Sequence, residues 1–329
     1  MNTKDNGTLL SRVAESVYWM SRYLERVENT VRLMDVNWQL MLDLPHVQSN
    51  EWETLLHVSG DYDLFRASYE GEINAESVIR FMTFDPLNPN SMVSCLTAAR
   101  ENARAIRDVV TPEMWEMLNG LFLMVKSYDS KASGFYRNPG HFYREIQTAV
   151  LHFYGVTHAT MFRGQAWFFS QLGILLERAD KSTRILDVRY FLLLPSLREV
   201  GTATEDLQWA ALLRSVSSLE PFVKKYGPVH AEGIIEYLLL DLQNPRSVRY
   251  CLQQADQALR DITGTPQGLH RNDAERLLGQ LCADLNYLTT PDIIRQGLHE
   301  CLDDLQIRMD QVHGRISDTY FSPVREVEA

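Results

Sequence analysis

The chain has 329 residues, 45% hydrophobic and 23% charged, with a net charge of −11 and a pI near 5.3. These values indicate a folded globular chain rather than a disordered one. They also exclude a nucleic-acid surface or an anionic membrane as the principal partner, since both require a basic footprint. The four cysteines, Cys95, Cys251, Cys282 and Cys301, show no CxxC spacing and read as reduced thiols of a cytoplasmic protein. The N-terminus lacks the apolar core of a signal peptide, and no apolar run is long enough to span a membrane.

A polar leader precedes a long first helix, expected over residues 9–44. Apolar side chains at Leu9, Val13, Val17, Met20, Leu24, Val27, Val31, Met34, Trp38 and Met41 recur at steps of three and four, which is one face of a helix. At about 1.5 Å per residue it is roughly 54 Å long. Helices follow over 51–66, broken near Gly60-Asp61, and over 75–82. The segment Phe84-Asp85-Pro86-Leu87-Asn88-Pro89-Asn90-Ser91 is a turn, with Asn90 or Ser91 able to cap the next helix over 91–110. Pro112 suits the first turn of a further helix. Residues 130–140 form a loop, and 142–153 are helical. A second long helix is expected from about 159 to 194. Further helices are expected over 205–215, 229–240, 245–262, 273–287 and 291–317, with a loose tail over 322–329. No period-2 strand of convincing length is present, so the fold class is all-α.

An internal repeat organises these elements. The segment from Leu24 to Val36 matches the segment from Leu176 to Val188, with Glu25 answering to Glu177, a shift of 152 residues. A second block carries Asp85, Asn88, Pro89, Ser91, Cys95, Leu96, Ala99 and Arg104 onto Asp241, Asn244, Pro245, Ser247, Cys251, Leu252, Ala255 and Arg260, a shift of 156. The chain therefore reads as one duplicated helical bundle spanning 1–329, with halves of about 8–155 and 156–320 whose long helices pack together.

Beside the apolar stripe runs a polar one, Glu25, Glu28, Arg32 and Asp35. It returns with the same signs as Glu177, Asp180, Arg184 and Asp187, and Arg26 returns as Arg178. One reading is a pocket of carboxylates and guanidiniums that binds a polar substrate, performs acid–base chemistry or holds a metal. The other is a structural Glu/Arg network that fixes how two helices cross, the commoner role of buried ion pairs. A di-metal site would want His three residues after Glu, where this chain has Glu or Asp. No metal ligands and no cofactor are assigned.

Arg12, Glu15, Tyr18, Trp19 and Arg22 form a denser polar-aromatic face, repeated only loosely near Arg163, Trp167 and Gln171. It is a candidate ligand surface or a half-buried packing face. Asn88 and Ser91 could present backbone N–H groups to an anion or simply shape a turn and cap. Arg100, Glu101 and Arg104 either line a cleft or cover a solvated helix face. His141, Glu145 and His152 share one face and His299 and Asp303 another, each a weak metal signal. Cys95 and Cys251 read as small core residues.

Residues Leu10-Ser11-Arg12-Val13-Ala14-Glu15-Ser16-Val17-Tyr18-Trp19-Met20-Ser21-Arg22-Tyr23-Leu24-Glu25-Arg26 closely resemble the opening motif of the bacterial alpha-E domain family. The segments 85–107, 113–116 and 175–190 resemble its later blocks. The resemblance implies an all-helical cytoplasmic protein encoded beside circularly permuted ATP-grasp ligases and transglutaminase-like proteins, with a role in forming or processing peptide or amide bonds. It carries no settled catalytic assignment. The second half lacks the Arg and Tyr found at Arg22 and Tyr23, which counts against a strictly two-fold site. Two roles remain open. One is a partner component that presents a peptide substrate to an ATP-grasp ligase-like protein. The other is a stand-alone enzyme or metal-binding protein, with Glu15, Arg22, Glu25 and Arg26 as catalytic candidates and Arg12, Tyr18, Trp19, Asn88, Ser91, Arg100 and Arg163 as substrate-binding candidates.

Overall fold

The computed structural model describes residues 9–43, 48–128, 135, 138–193 and 203–322. Among them are fifteen α-helices and no strand. In chain order they are α1 (Ser11–Asp43), α2 (Gln48–Ser59), α3 (Tyr62–Ser68), α4 (Ala75–Thr83), α5 (Met92–Ala105), α6 (Pro112–Ser127), α7 (Gly140–Thr160), α8 (Gln165–Leu193), α9 (Ala203–Ser215), α10 (Leu219–Tyr226), α11 (Ala231–Ile235), α12 (Val248–Thr263), α13 (Asp273–Tyr287), α14 (Thr290–Gln296) and α15 (Leu298–Ile316). Single π turns follow α11 (Glu236–Leu240) and α15 (Ser317–Phe321). No helix among the described residues is long and apolar enough to cross a membrane.

The two long helices, α1 and α8, pack along each other at the centre. α5 and α7 lie against α1, while α12 and α15 lie against α8. The stripe read from the sequence is the core: Val13, Val17, Met20, Leu24, Val27, Val31, Met34 and Met41 are all buried. The polar stripe of α1 is covered as well, with Glu25 and Glu28 at 0% exposure. Periodicity describes one apolar face, but helices on several sides of α1 leave its middle with little solvent-facing surface.

The helix ends follow local chemistry. The side chains of Ser91 and Ser247 cap α5 and α12 by accepting the N–H groups of Ser94 and Tyr250. Pro112 stands in the first turn of α6, where a missing N–H costs nothing. The turns that precede α5 and α12 share their hydrogen bonds. Asn88 Nδ2 donates to the Phe81 carbonyl and Asn244 Nδ2 to that of Tyr237. The backbone N–H groups of Asn90 and Arg246 donate to Asn88 Oδ1 and Asn244 Oδ1.

Three expected elements differ. The second long helix does not begin near 159. α7 ends at Thr160, Met161 turns extended, and α8 starts at Gln165, with the N–H of Phe168 bonded to the Gly164 carbonyl. Nothing but Gly164 punctuates that sequence, so periodicity ran through the corner. The last helix is divided by Gly297, whose φ of +104° suits glycine. The helix expected over 229–240 is one short α-helix widened into a π turn. The leader and most of the loop and tail expectations lie outside the described residues.

α1 and α8 approach most closely through small side chains. Ser21 Oγ and Ser170 Oγ are hydrogen-bonded at 2.8 Å. A Cβ on Gly173 would sit 2.5 Å from the Tyr18 carbonyl oxygen. A methyl there must push two backbones apart. Overpacking of this kind costs about 1–3 kcal/mol, more than the roughly 1 kcal/mol that Ala gains over Gly in a helix. Gly173→Ala is therefore expected to lower the melting temperature in thermal denaturation followed by circular dichroism. An unchanged or higher value would show that α1 and α8 are not held at this separation.

Candidate functional site

The two long helices exchange ion pairs reciprocally. Arg178 Nε and Nη2 donate to Glu25 Oε1 and Oε2 at 2.8 and 3.0 Å. Arg26 Nε and Nη2 donate to Glu177 Oε1 and Oε2 at 2.7 and 3.1 Å. Each carboxylate is fully buried and held by the bidentate fork that arginine supplies. Glu25 also accepts from the Tyr154 hydroxyl at 2.8 Å, and Glu177 from Arg22 Nε at 2.9 Å. Burial alone would raise both carboxyls. The guanidiniums outweigh it and hold Glu25 and Glu177 below the usual carboxylate range, so both stay ionised.

Beyond this exchange the two sides diverge. On the α1 side, Arg246 from the turn before α12 reaches in and donates to Asn29 Oδ1 at 3.0 Å and Glu28 Oε2 at 2.9 Å. Glu28 is also paired with Arg32. On the α8 side the matching positions are Asn90, Lys181 and Asp180. Asn90 is too short to take Arg246's part. It accepts from Arg26 Nη1 and donates to Asp61, both at 2.7 Å. Asp180 is engaged by Arg184 at 2.9 and 3.0 Å.

The space left there is a cleft of about 660 Å³ between α1, α8, α15 and the end of α2. Arg22 and Arg26 line it from α1, Asp180, Lys181 and Arg184 from α8, and Asp303, Asp310 and His313 from α15. Lys181 is only 8% exposed and makes no hydrogen bond or ion pair among the described residues. Burial pulls its amine below the ordinary lysine range, against the pull of Asp180 and Glu177. A lowered-pKa amine facing an open cleft is the arrangement expected of a binding or reactive group. Behind this lining, the Tyr18 hydroxyl is hydrogen-bonded to His313 Nδ1 at 3.0 Å and accepts from Arg22 Nη1 at 3.3 Å. Burial and nearby Arg22 push His313 down to about 4, so the imidazole is neutral.

Of the sequence candidates, Arg22, Arg26 and Tyr18 meet here, with Trp19 edge-on to His313. Arg12 and Glu15 lie on the exposed surface away from the cleft. They are on the first helix but on its solvent face, opposite the buried Val13 and Ala14. Asn88 and Ser91 are spent on their turn and cap. Arg100 bonds Asn119 and Glu101 and lies over Trp115 and Phe122. Arg163 lies over Trp167, 3.5 Å from the ring centroid, and donates to the His158 carbonyl. Asp35 stands 4.0 Å from Arg144, and Asp187 bonds His299 at 2.8 Å. His141 pairs with Glu145. No group of three or more His, Cys, Asp or Glu that could hold a metal occurs among the described residues. Cys95 and Cys251 are buried with thiols pushed up to about 12. Lys181, Asp310, His313, Tyr154 and Arg246 escaped the sequence reading. The signal for two of them was the mismatch between aligned positions, Asn29 against Lys181 and Asn90 against Arg246.

Residues 9–321 match the Alpha-E family, described as a predicted alpha-helical domain with a conserved ER motif. Glu-Arg dipeptides occur here at Glu25-Arg26, Glu177-Arg178 and Glu275-Arg276, and the first two are those exchanged between α1 and α8. Uncharacterized proteins of Mycobacterium bovis and Mycobacterium tuberculosis are each 25% identical over 274 residues, 77% of this chain. The aligned region covers 30% of those relatives, so the chain spans about a third of their length. No solved structure matches.

Two substitutions on α8 should move stability in opposite directions. Glu177→Gln strands two buried guanidiniums and should cost about 3–5 kcal/mol. Lys181→Met removes a largely buried amine with no hydrogen bond or ion pair among the described residues and should raise stability by up to about 1 kcal/mol. Urea denaturation measures both, and a destabilised Lys181→Met would show that the amine has a structural partner. His313 supplies a pH dependence. Its folded value of about 4 lies below the unfolded value of about 6.5, so its stabilisation is complete above the latter and lost on acidification towards the former. His313→Gln should flatten that part of the stability–pH curve, and an unchanged slope would refute the assignment.

Proposed function

The chain belongs to the Alpha-E family, and we propose that it is the helical, ligand-holding component of a bacterial system that forms or processes peptide or amide bonds. The observation that carries this reading is Lys181, a largely buried lysine with no hydrogen bond or ion pair among the described residues, which lines a cleft of about 660 Å³ beside Arg22, Arg26 and Arg184. Keeping an uncompensated amine there costs stability. An anionic group entering the cleft, such as a peptide carboxylate, removes that cost on binding.

The reading gives the bond-forming chemistry to partners, an ATP-grasp ligase-like protein and a transglutaminase-like one. Its support is the resemblance of the opening motif, together with the state of the Glu/Arg pairs. Glu25 and Glu177 are locked in bidentate pairs and kept ionised. A general acid or base needs a value near working pH and a free path to substrate. This weakens the alternative of a stand-alone enzyme that uses these carboxylates. The activity of the full-length mycobacterial relatives is unassigned, and this role is proposed for the present chain alone.

Co-expression with an ATP-grasp ligase-like protein of the same bacterium tests the proposal. Co-elution on size exclusion is expected, with at least a ten-fold loss of product when Lys181→Met replaces the native chain. No complex, and full ligase activity without this protein, would overturn it.

A further inference from the structure

The walls of the cleft carry opposite charge. On the inner wall, Arg22 and Arg26 share Glu177, Arg184 is taken by Asp180, and Lys181 is left over. That wall therefore has more cations than carboxylates, and its surplus includes Lys181, which makes no hydrogen bond or ion pair among the described residues. The opposite wall is a single face of α15. Asp303, Gln306, Asp310 and His313 recur at steps of three, four and three and line the cleft together. Asp303 and Asp310 are exposed and join no ion pair among the described residues, whereas neighbouring Asp304 pairs with Arg308. They stand two turns apart, about 10 Å along the helix.

This arrangement selects by sign. A simple anion satisfies Lys181 but meets two carboxylates across the cleft. A simple cation satisfies the carboxylates but meets Lys181 and the guanidiniums. Only a ligand bearing both charges complements both walls. The volume lies within the usual range for small-molecule sites and accommodates an amino acid or a short peptide. The cavity beside Arg178 on the other side is smaller, about 430 Å³, and its lining includes Tyr154, Trp167, Phe168, Ile174 and Leu175, while Arg246 brings its guanidinium to Glu28 and Asn29.

We propose that the cleft takes a zwitterion, a free amino acid or short peptide, with its carboxylate inward on Lys181 and Arg26 and its ammonium outward on Asp303 and Asp310. This inference rests on the reading of the cleft as a ligand site and adds the chemical class of the ligand.

Calorimetric titration of the full chain with a panel of free dipeptides, their N-acetyl forms, their C-terminal amides and inorganic phosphate tests it. Free dipeptides are expected to bind at least ten-fold more tightly than either blocked form and than phosphate. Lys181→Met should weaken free dipeptides at least ten-fold. The Asp303→Asn/Asp310→Asn double variant, altered at exposed positions and checked for native helicity, should erase the preference for free over acetylated forms. Phosphate or acetylated dipeptides binding as tightly as free ones would overturn the zwitterion while leaving an anion-binding cleft. Absence of binding by every probe would overturn the inference, and the reading beneath it then stands or falls on the ligase assay with Lys181→Met.

Discussion

Two carboxylates buried at the centre of the molecule must find cations, and each finds one on the other long helix. Glu25 takes Arg178 and Glu177 takes Arg26, both in forks of 2.7–3.1 Å. Ion pairs so fully desolvated add little net stability over well-packed apolar residues, because removing two charges from water nearly cancels their attraction. What they set is register. Sliding α1 along α8 by a turn would break both forks at once, which favours the one alignment in which they close. Ser21, Ser170 and Gly173 then let the backbones come close enough for the forks to close. The remaining helices pack around that fixed pair.

The framework of this arrangement was legible in the chain. The three–four spacing from Leu9 to Met41 located α1 and its core face. The paired Glu-Arg dipeptides pointed to a contact between the long helices. The Asp-x-x-Asn-Pro turns foretold two equivalent capped helices. Other features were not legible, for physical reasons. Burial of the polar face of α1 depends on neighbours contributed by α7, α8 and the turn before α12, which periodicity within one helix does not encode. The corner at 161–164 has no proline, and the division at Gly297 lies inside a continuous apolar pattern. Arg12 and Glu15 share a helix with the site but stand on its solvent face. Lys181 is an ordinary lysine in sequence, and only the shortness of Asn90 and Asp180 around it makes it exceptional.

The cleft is thus a consequence of mismatched positions. Where Arg246 and Glu28 fill space and close a charge network, Asn90 and Asp180 are shorter and leave space and an amine over. The same backbone geometry supports both outcomes, since the two turns share their hydrogen bonds. A guanidinium engaged with Glu28 on one side and an amine facing a cleft on the other stand beside turns that share the same hydrogen bonds.

The reciprocal exchange also bears on the order of synthesis. Glu25 and Arg178 are 153 residues apart, and Arg26 and Glu177 are 151. At 5–20 residues per second, α1 leaves the ribosome roughly 8 to 30 s before α8 is complete. During that interval Glu25 and Arg26 lack the Arg178 and Glu177 forks that hold them in the folded chain, so the two ion pairs at its centre cannot close. The chain passes this vulnerable stage, open to chaperones and proteases, each time it is made.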